Sequence, residues 1–276
     1  MESDIIVEGM NYLYDTFKVK CTRLIGDGDS STMSKVREQV LYGMFVVKIA
    51  CANHSVRSYT RALEKITKET KTFNGSQGVL ARGELRRRLP RLAIGARTGI
   101  KRHGISCNNE NTTEAVEELK KELWNGPSHV FGRHDECADF CDRRDYDEDG
   151  DVTDLMHETG VLDAVQKEND RVLCSQANTL IWNNTNNPAE NFMSQMAKVT
   201  GGKRVDHSRS GGINRRSNIA ALAYQSGGQE WHRTVHKKLL GESPRTPMKR
   251  LIQRRKYAKK RRKEWLVLAL PLPGTT

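Results

Sequence analysis

Asp27, Cys51, His54 and Glu190 are the residues of this 276-residue sequence whose types and surroundings could do chemistry on a charged substrate. Asp27 lies in Gly26-Asp27-Gly28-Asp29, directly after the apolar pair Leu24-Ile25. A carboxylate at the C-terminal end of a strand faces the crevice where open α/β sheets collect ligands. Its oxygens suit a hard divalent cation such as magnesium. Glycine and aspartate are also the ordinary material of tight turns, and for this tetrapeptide alone turn formation is the stronger account. Asp29 is the alternative ligand if the turn directs it inward. Cys51-x-x-His54 stands at the end of a second apolar stretch. Two donors fall short of the four of a structural zinc site, so the interest of this pair lies in its position. Glu190 follows Asn187-Pro188-Ala189. That order is a capping box, with Asn187 as cap, Pro188 in the first helical position and the glutamate returning to the cap amide. Met193, Met196 and Ala197 would give the same helix its apolar side. Glu190, at the flank of that side, could equally overhang a cleft, and periodicity does not choose.

Two further groupings fall in the middle of the chain. His129-x4-His134-x2-Cys137-x3-Cys141 offers four donors of the types zinc favours. A structural zinc is one reading; ordinary packing, with Trp124, Phe131 and Phe140 nearby, is the other. Asp145-x-Asp147-x-Asp149-Gly150 imitates a calcium-binding loop, but its twelfth position is Met156 where a bidentate glutamate is required. An acidic, solvated loop accounts for it better.

These groups need elements to hold them. In residues 3–17, Ile6, Met10, Leu13 and Phe17 fall on one face of a helix, with Ser3 or Asp4 as cap. A chain opening directly in a core-facing helix is unusual, because termini tend to be solvated. Residues 21–25 read as a strand, Ser30, Ser31 or Thr32 as the cap of a following helix, residues 45–50 as a second strand, and residues 56–71 as a helix. This alternation predicts an α/β core with parallel pairing. Between residues 73 and 174 charged, helix-compatible segments dominate, as at 84–89 and 114–124, which predicts a mostly helical insertion. A further helix starts at Asn187 and stops at Gly201-Gly202.

The composition bounds the class. Hydrophobic residues are 36% and charged residues 29%, and no apolar run approaches the ~18 residues of a membrane span. Met1 leads straight into Glu2-Ser3-Asp4 rather than a basic and then apolar secretory leader, so a soluble, intracellular protein without a membrane partner is expected. Six cysteines are too sparse for a disulfide scaffold. The net charge of +12 points to a polyanionic partner, of which nucleic acid is the commonest. Lys203 and Arg204, after two glycines, and Arg215 and Arg216 combine flexible backbone with positive charge, without the spacing of a Walker motif. Residues 249–263 hold ten Lys or Arg, among them Arg254, Arg255, Lys259 and Lys260. Such density reads as a nucleic-acid contact, a nuclear import signal, or both. Residues 265–276 read as a disordered or unrelated extension.

The strings LIGDGDSST, VVKIACANH and NNPAENFMSQMAKVTGGKR, in this order, resemble the transposase domain of Mutator-like elements, in the branch common in arthropod genomes. The resemblance runs from Met1 to about Pro244. It implies an RNase H-like core, here only partial, with a metal-binding triad of Asp, Asp and Glu. By that pattern Asp27 is the second acid, Cys51 and His54 form the motif that trails it, and Glu190 is the third acid. It implies Mg2+ or Mn2+ as cofactor, with two cations ~3.5–4 Å apart serving phosphodiester hydrolysis and strand transfer. His54 would orient the phosphate or the nucleophile. The expected partner is DNA, both transposon ends and target, in the nucleus, with room for a homo-oligomer. The resulting division is residues 1–72 as the first part of the core, 73–178 as the insertion, 179–244 as the last part with the Glu helix, and 245–276 as the basic tail. In the family the first Asp precedes the segment that Met1 to Gly9 resembles. The sequence is therefore expected to be a truncated and inactive transposase, or a non-catalytic DNA-binding protein domesticated from one.

Overall fold

The computed structural model describes residues 2–26, 31–106, 112–137, 141, 150–201, 211–226 and 231–268. The chain divides into two compact units, residues 1–186 and 187–276. The first opens with α1 (Glu2–Phe17), β1 (Arg23–Gly26), α2 (Ser31–Gln39), β2 (Val47–Ala50) and α3 (Ala52–Lys68). The two strands pair in parallel, from Arg23↔Val47 to Gly26↔Ala50, and α2 lies in the connection that a parallel pair requires. The expected parallel order is therefore present, in a chain where helices otherwise dominate.

Three local expectations shift. Phe45 is not in the second strand, because Gly43–Phe45 closes a 3-10 turn whose amide bonds (Phe45 to Tyr42, Val46 to Gly43) are incompatible with extended backbone. The helix after β2 begins at Ala52, four residues earlier than the apolar periodicity suggests, and so takes in His54. The inward face of α1 is also rotated. Val7 and Met10 are buried with Ile6 and Tyr14 beside them, whereas Phe17 is 59% exposed. The Tyr14 ring meets Tyr42 at 5.6 Å, which fixes that face on the small core formed by Met33, Val36, Val40 and Val46.

The segments expected to be helical after residue 73 are so: α4 (Gly75–Ser106), α5 (Thr112–Phe131), α6 (Thr153–Glu158), α7 (Val161–Val172) and α8 (Ala177–Leu180). On α3, Ala52, Tyr59, Leu63 and Ile66 recur at helical spacing, and they share one buried core with Leu85, Leu119, Phe131, Val165 and Leu180 of these helices. In the same core burial pushes the Cys174 thiol up to about 11.

Polar groups inside this body are used to close it. Pro127 interrupts α5 and has no amide hydrogen for the carbonyl of Leu123, four residues back. The buried Asn169 of α7 supplies the missing donor, at 2.7 Å from that oxygen, and Gln166 donates to Trp124 O at 2.8 Å. Arg88 of α4 is fully buried and divides its guanidinium between Val130 O at 2.8 Å, Gly150 O at 2.9 Å and the Glu84 carboxylate at 3.2 Å. It thus joins α4, the end of α5 and the start of the segment leading to α6. Gly132, with φ of 113°, lies so close to Asp151 that an added Cβ would stand 2.6 Å from its Cα.

The second unit contains α9 (Asn187–Thr200), α10 (Gly212–Gln225), α11 (Trp231–Leu240) and α12 (Thr246–Leu268). α9 and α10 pair through Phe192 and Tyr224, whose rings meet edge to face at 5.6 Å. The expected basic tail is a helix. It continues through residue 268, so residues 265–268 are not the disordered extension that their composition suggests. Among the described residues no helix is long and apolar enough to cross a membrane.

Candidate functional site

The parallel pair ends with Gly26 opposite Ala50, and Asp27 and Cys51 are the residues that come next in the sequence. Asp27 and Asp29 themselves lie outside the described residues, as do Lys203 and Arg204. Cys51 forms the N-terminal boundary of α3 with extended backbone, and His54 stands half-buried in the first turn of that helix. The sequence places these residues after a strand; the structure adds that both belong to the start of α3.

The Cys51 side chain is buried and engaged. Its thiol donates to Asn186 Oδ1 at 3.1 Å, and its sulfur accepts the Asn186 amide at 3.4 Å. One residue on, the Ala52 amide donates to Asn184 O at 2.9 Å, and Ser55 Oγ donates to Gln176 Oε1 at 3.3 Å. The last residues of the first unit are therefore held at the start of α3. Arg23 of β1 adds to this closure by lying over the Trp182 ring, 4.4 Å from its centroid. Asn184, Asn186, Trp182 and Arg23 do not stand out in the sequence. The one available signal is the polar run Asn183-Asn184-Thr185-Asn186-Asn187, and nothing in it indicates a partner 135 residues away.

Glu190 is exposed in the first turn of α9. That helix begins at Asn187 itself, so Asn187 is its first residue rather than its cap and Pro188 its second, which shifts the capping box read from the sequence by one position. Met193, expected on the apolar side, is 63% exposed. Of the basic residues, Arg215 and Arg216 are exposed on α10, and Arg216 donates to Val199 O at 2.6 Å, satisfying a carbonyl in the last turn of α9. Arg254, Arg255 and Lys260 are exposed on α12, and Lys259 belongs to the same helix.

The four donors between His129 and Cys141 do converge. One donor atom from each of His129, His134, Cys137 and Cys141 lies within 4.8 Å of every other, an arrangement that could hold a metal ion. By contrast, Asp145, Asp147 and Asp149 lie outside the described residues.

Residues 1–141 match the family described as Mutator-like transposase. The match takes in both strands, the Cys51 and His54 positions, α4, α5 and the four soft donors, and it covers half of the chain: this protein belongs to the Mutator-like transposase family. No curated protein and no solved structure matches it.

Proposed function

We propose that this chain derives from a DNA transposase, with Asp27 and Glu190 as the second and third metal-binding acids of an RNase H-like catalytic centre. The observation that carries the reading is the paired strand end, Gly26 against Ala50, with Asp27 and Cys51 next in the chain on either side. Membership of the family implies DNA as partner and divalent metal as cofactor. The donor chemistry fits in part. The exposed Glu190 carboxylate suits a hard cation, whereas the Cys51 thiol, soft, buried and bonded to Asn186, does not. Cys51 acts instead as a positioning residue for the segment that precedes α9. When bound, Mg2+ or Mn2+ would activate the attacking oxygen and stabilise the leaving one. His54 would orient the phosphate.

We assign no residue of this chain to the first acid of the triad. The chain by itself is therefore expected to bind duplex DNA without cutting it. The test is nicking of supercoiled plasmid with Mg2+ or Mn2+, run beside a binding measurement. Nicking that Asp27→Asn and Glu190→Gln both abolish would establish an enzyme and overturn the inactive reading. Absence of all DNA binding at low salt would sink the whole proposal. Binding without nicking supports a non-catalytic, domesticated DNA-binding protein, which the exposed basic helix α12 favours. The basic density of residues 249–263 supports a nuclear location, and a reporter carrying residues 246–268 that stays outside the nucleus would contradict it.

A further inference from the structure

We propose that His129, His134, Cys137 and Cys141 form a closed tetrahedral zinc centre that fixes the loop after α5. The geometry can be compared with the metal directly. Zinc–nitrogen bonds of about 2.0–2.1 Å and zinc–sulfur bonds of about 2.3 Å set two nitrogens about 3.3 Å apart and each nitrogen about 3.6 Å from each sulfur. The two Nδ1 atoms lie 3.1 Å apart, and the four nitrogen–sulfur separations are 3.1, 3.5, 3.7 and 3.8 Å. These five of the six edges fall within about half an ångström of the zinc tetrahedron, and the sixth, between the two sulfurs, is within 4.8 Å. The imidazole rings cross at 88°, so both present Nδ1 to one point without stacking.

The donor set selects the metal. Two imidazoles and two thiols provide no hard oxygen, which excludes magnesium and calcium and favours zinc. Two thiolates balance the charge of Zn2+, so a neutral unit would occupy a site in which His134 is already buried. Asn125, one turn before His129 on α5, points its amide at Cys137 Sγ from 3.6 Å, as a group supporting a thiolate would. With all four positions taken by protein, no place remains for water or substrate, and the role is structural.

The placement says what the metal would hold. His129 comes from the last turn of α5 and the other three ligands from the loop beyond it. Val130, next to His129, is the residue whose carbonyl Arg88 binds together with that of Gly150. Zinc would thus fasten the chain just after α5, and Arg88 holds Gly150 to the same turn of helix.

The proposal is independent of DNA cleavage and is tested without it. The full chain, purified under reducing conditions, is expected to retain one equivalent of zinc after dialysis. Cobalt in its place should give the intense ligand-field bands of a tetrahedral ion with sulfur-to-cobalt charge transfer. Cys137→Ser and Cys141→Ser should each weaken that charge transfer, and Cys21→Ser should leave it unchanged. Chelation should lower the melting temperature, and added zinc should restore it. Folded protein with far less than stoichiometric zinc and no cobalt spectrum would overturn the centre, as would a Cys137–Cys141 disulfide in the isolated protein. If a cysteine variant fails to fold by circular dichroism, the wild-type cobalt spectrum decides alone.

Discussion

Replacing Asn169 tests whether α7 repairs the proline break in α5. In the native chain the Asn169 amide donates to Leu123 O at 2.7 Å, with Asn169 only 1% exposed. Asn169→Ala leaves that carbonyl buried without its donor, which costs about 1–3 kcal/mol before any change in packing. Pro127→Ala restores the amide hydrogen that the helix itself would use for Leu123 O. In the Pro127→Ala background, Asn169→Ala should therefore cost about 1–2 kcal/mol less than in the native chain. The four proteins of this cycle are compared by urea unfolding, followed by circular dichroism and tryptophan fluorescence. Independent sites add within about 0.3–0.5 kcal/mol, so a coupling inside that band would refute the reasoning. A second readout is hydrogen exchange: in Pro127→Ala the new amide at position 127 should be protected, and rapid exchange there would contradict the repair.

Other perturbations follow from neighbouring features. Arg88→Ala removes a fully buried guanidinium from two carbonyls and a carboxylate, and should cost about 3–5 kcal/mol, read as a fall in melting temperature; a cost below about 1 kcal/mol would deny its closing role. Arg88→Lys should recover little of this, because one ammonium cannot span the fork. Cys174 titrates at about 11 in the folded chain, above an unfolded thiol at about 8.5, so the stability it contributes is complete below the unfolded value and disappears as pH rises through the folded one. Unfolding midpoints measured from pH 8 to pH 11 should fall with a slope that Cys174→Ala reduces. For DNA, every phosphate that α12 no longer neutralises should flatten the log–log salt dependence of binding by about 0.9; replacing Arg254, Arg255 and Lys260 with Gln without changing the slope would remove α12 from the interface.

The sequence foretold what depends on neighbours along the chain. Alternating apolar stretches and turns marked the parallel pair, charged periodic segments marked the helices between residues 75 and 172, and four donors within thirteen positions marked the cluster that the fold brings together. Pairings between distant segments were not legible. Arg88 stands in Arg86-Arg87-Arg88 like any solvated charge, and only α5 and Gly150, brought alongside, make it a buried fork. Asn169 looks like a polar helix residue until Pro127 leaves it a carbonyl to bind. Phe17 and Met193 satisfied helical periodicity and still face solvent, because periodicity identifies a face without saying how wide a stripe its neighbours cover. At the site, strand ends could be read from pattern, but the partner of Cys51 could not.

That partnership bears on how such a chain can change over generations. Cys51 meets Asn186, and Ala52 meets Asn184, so the stretch that leaves β2 returns to its point of departure. A detour with coincident ends transmits little of its own length to its surroundings, and where an exposed connection within it is lengthened, each doubling of that flexible loop costs only about 0.6 kcal/mol in closure entropy. Insertions and deletions on the far side of this body are therefore expected to be tolerated, while changes at the two asparagines and the cysteine are not. Descendants should differ widely in the size of the detour and little in the gate through which it is entered and left.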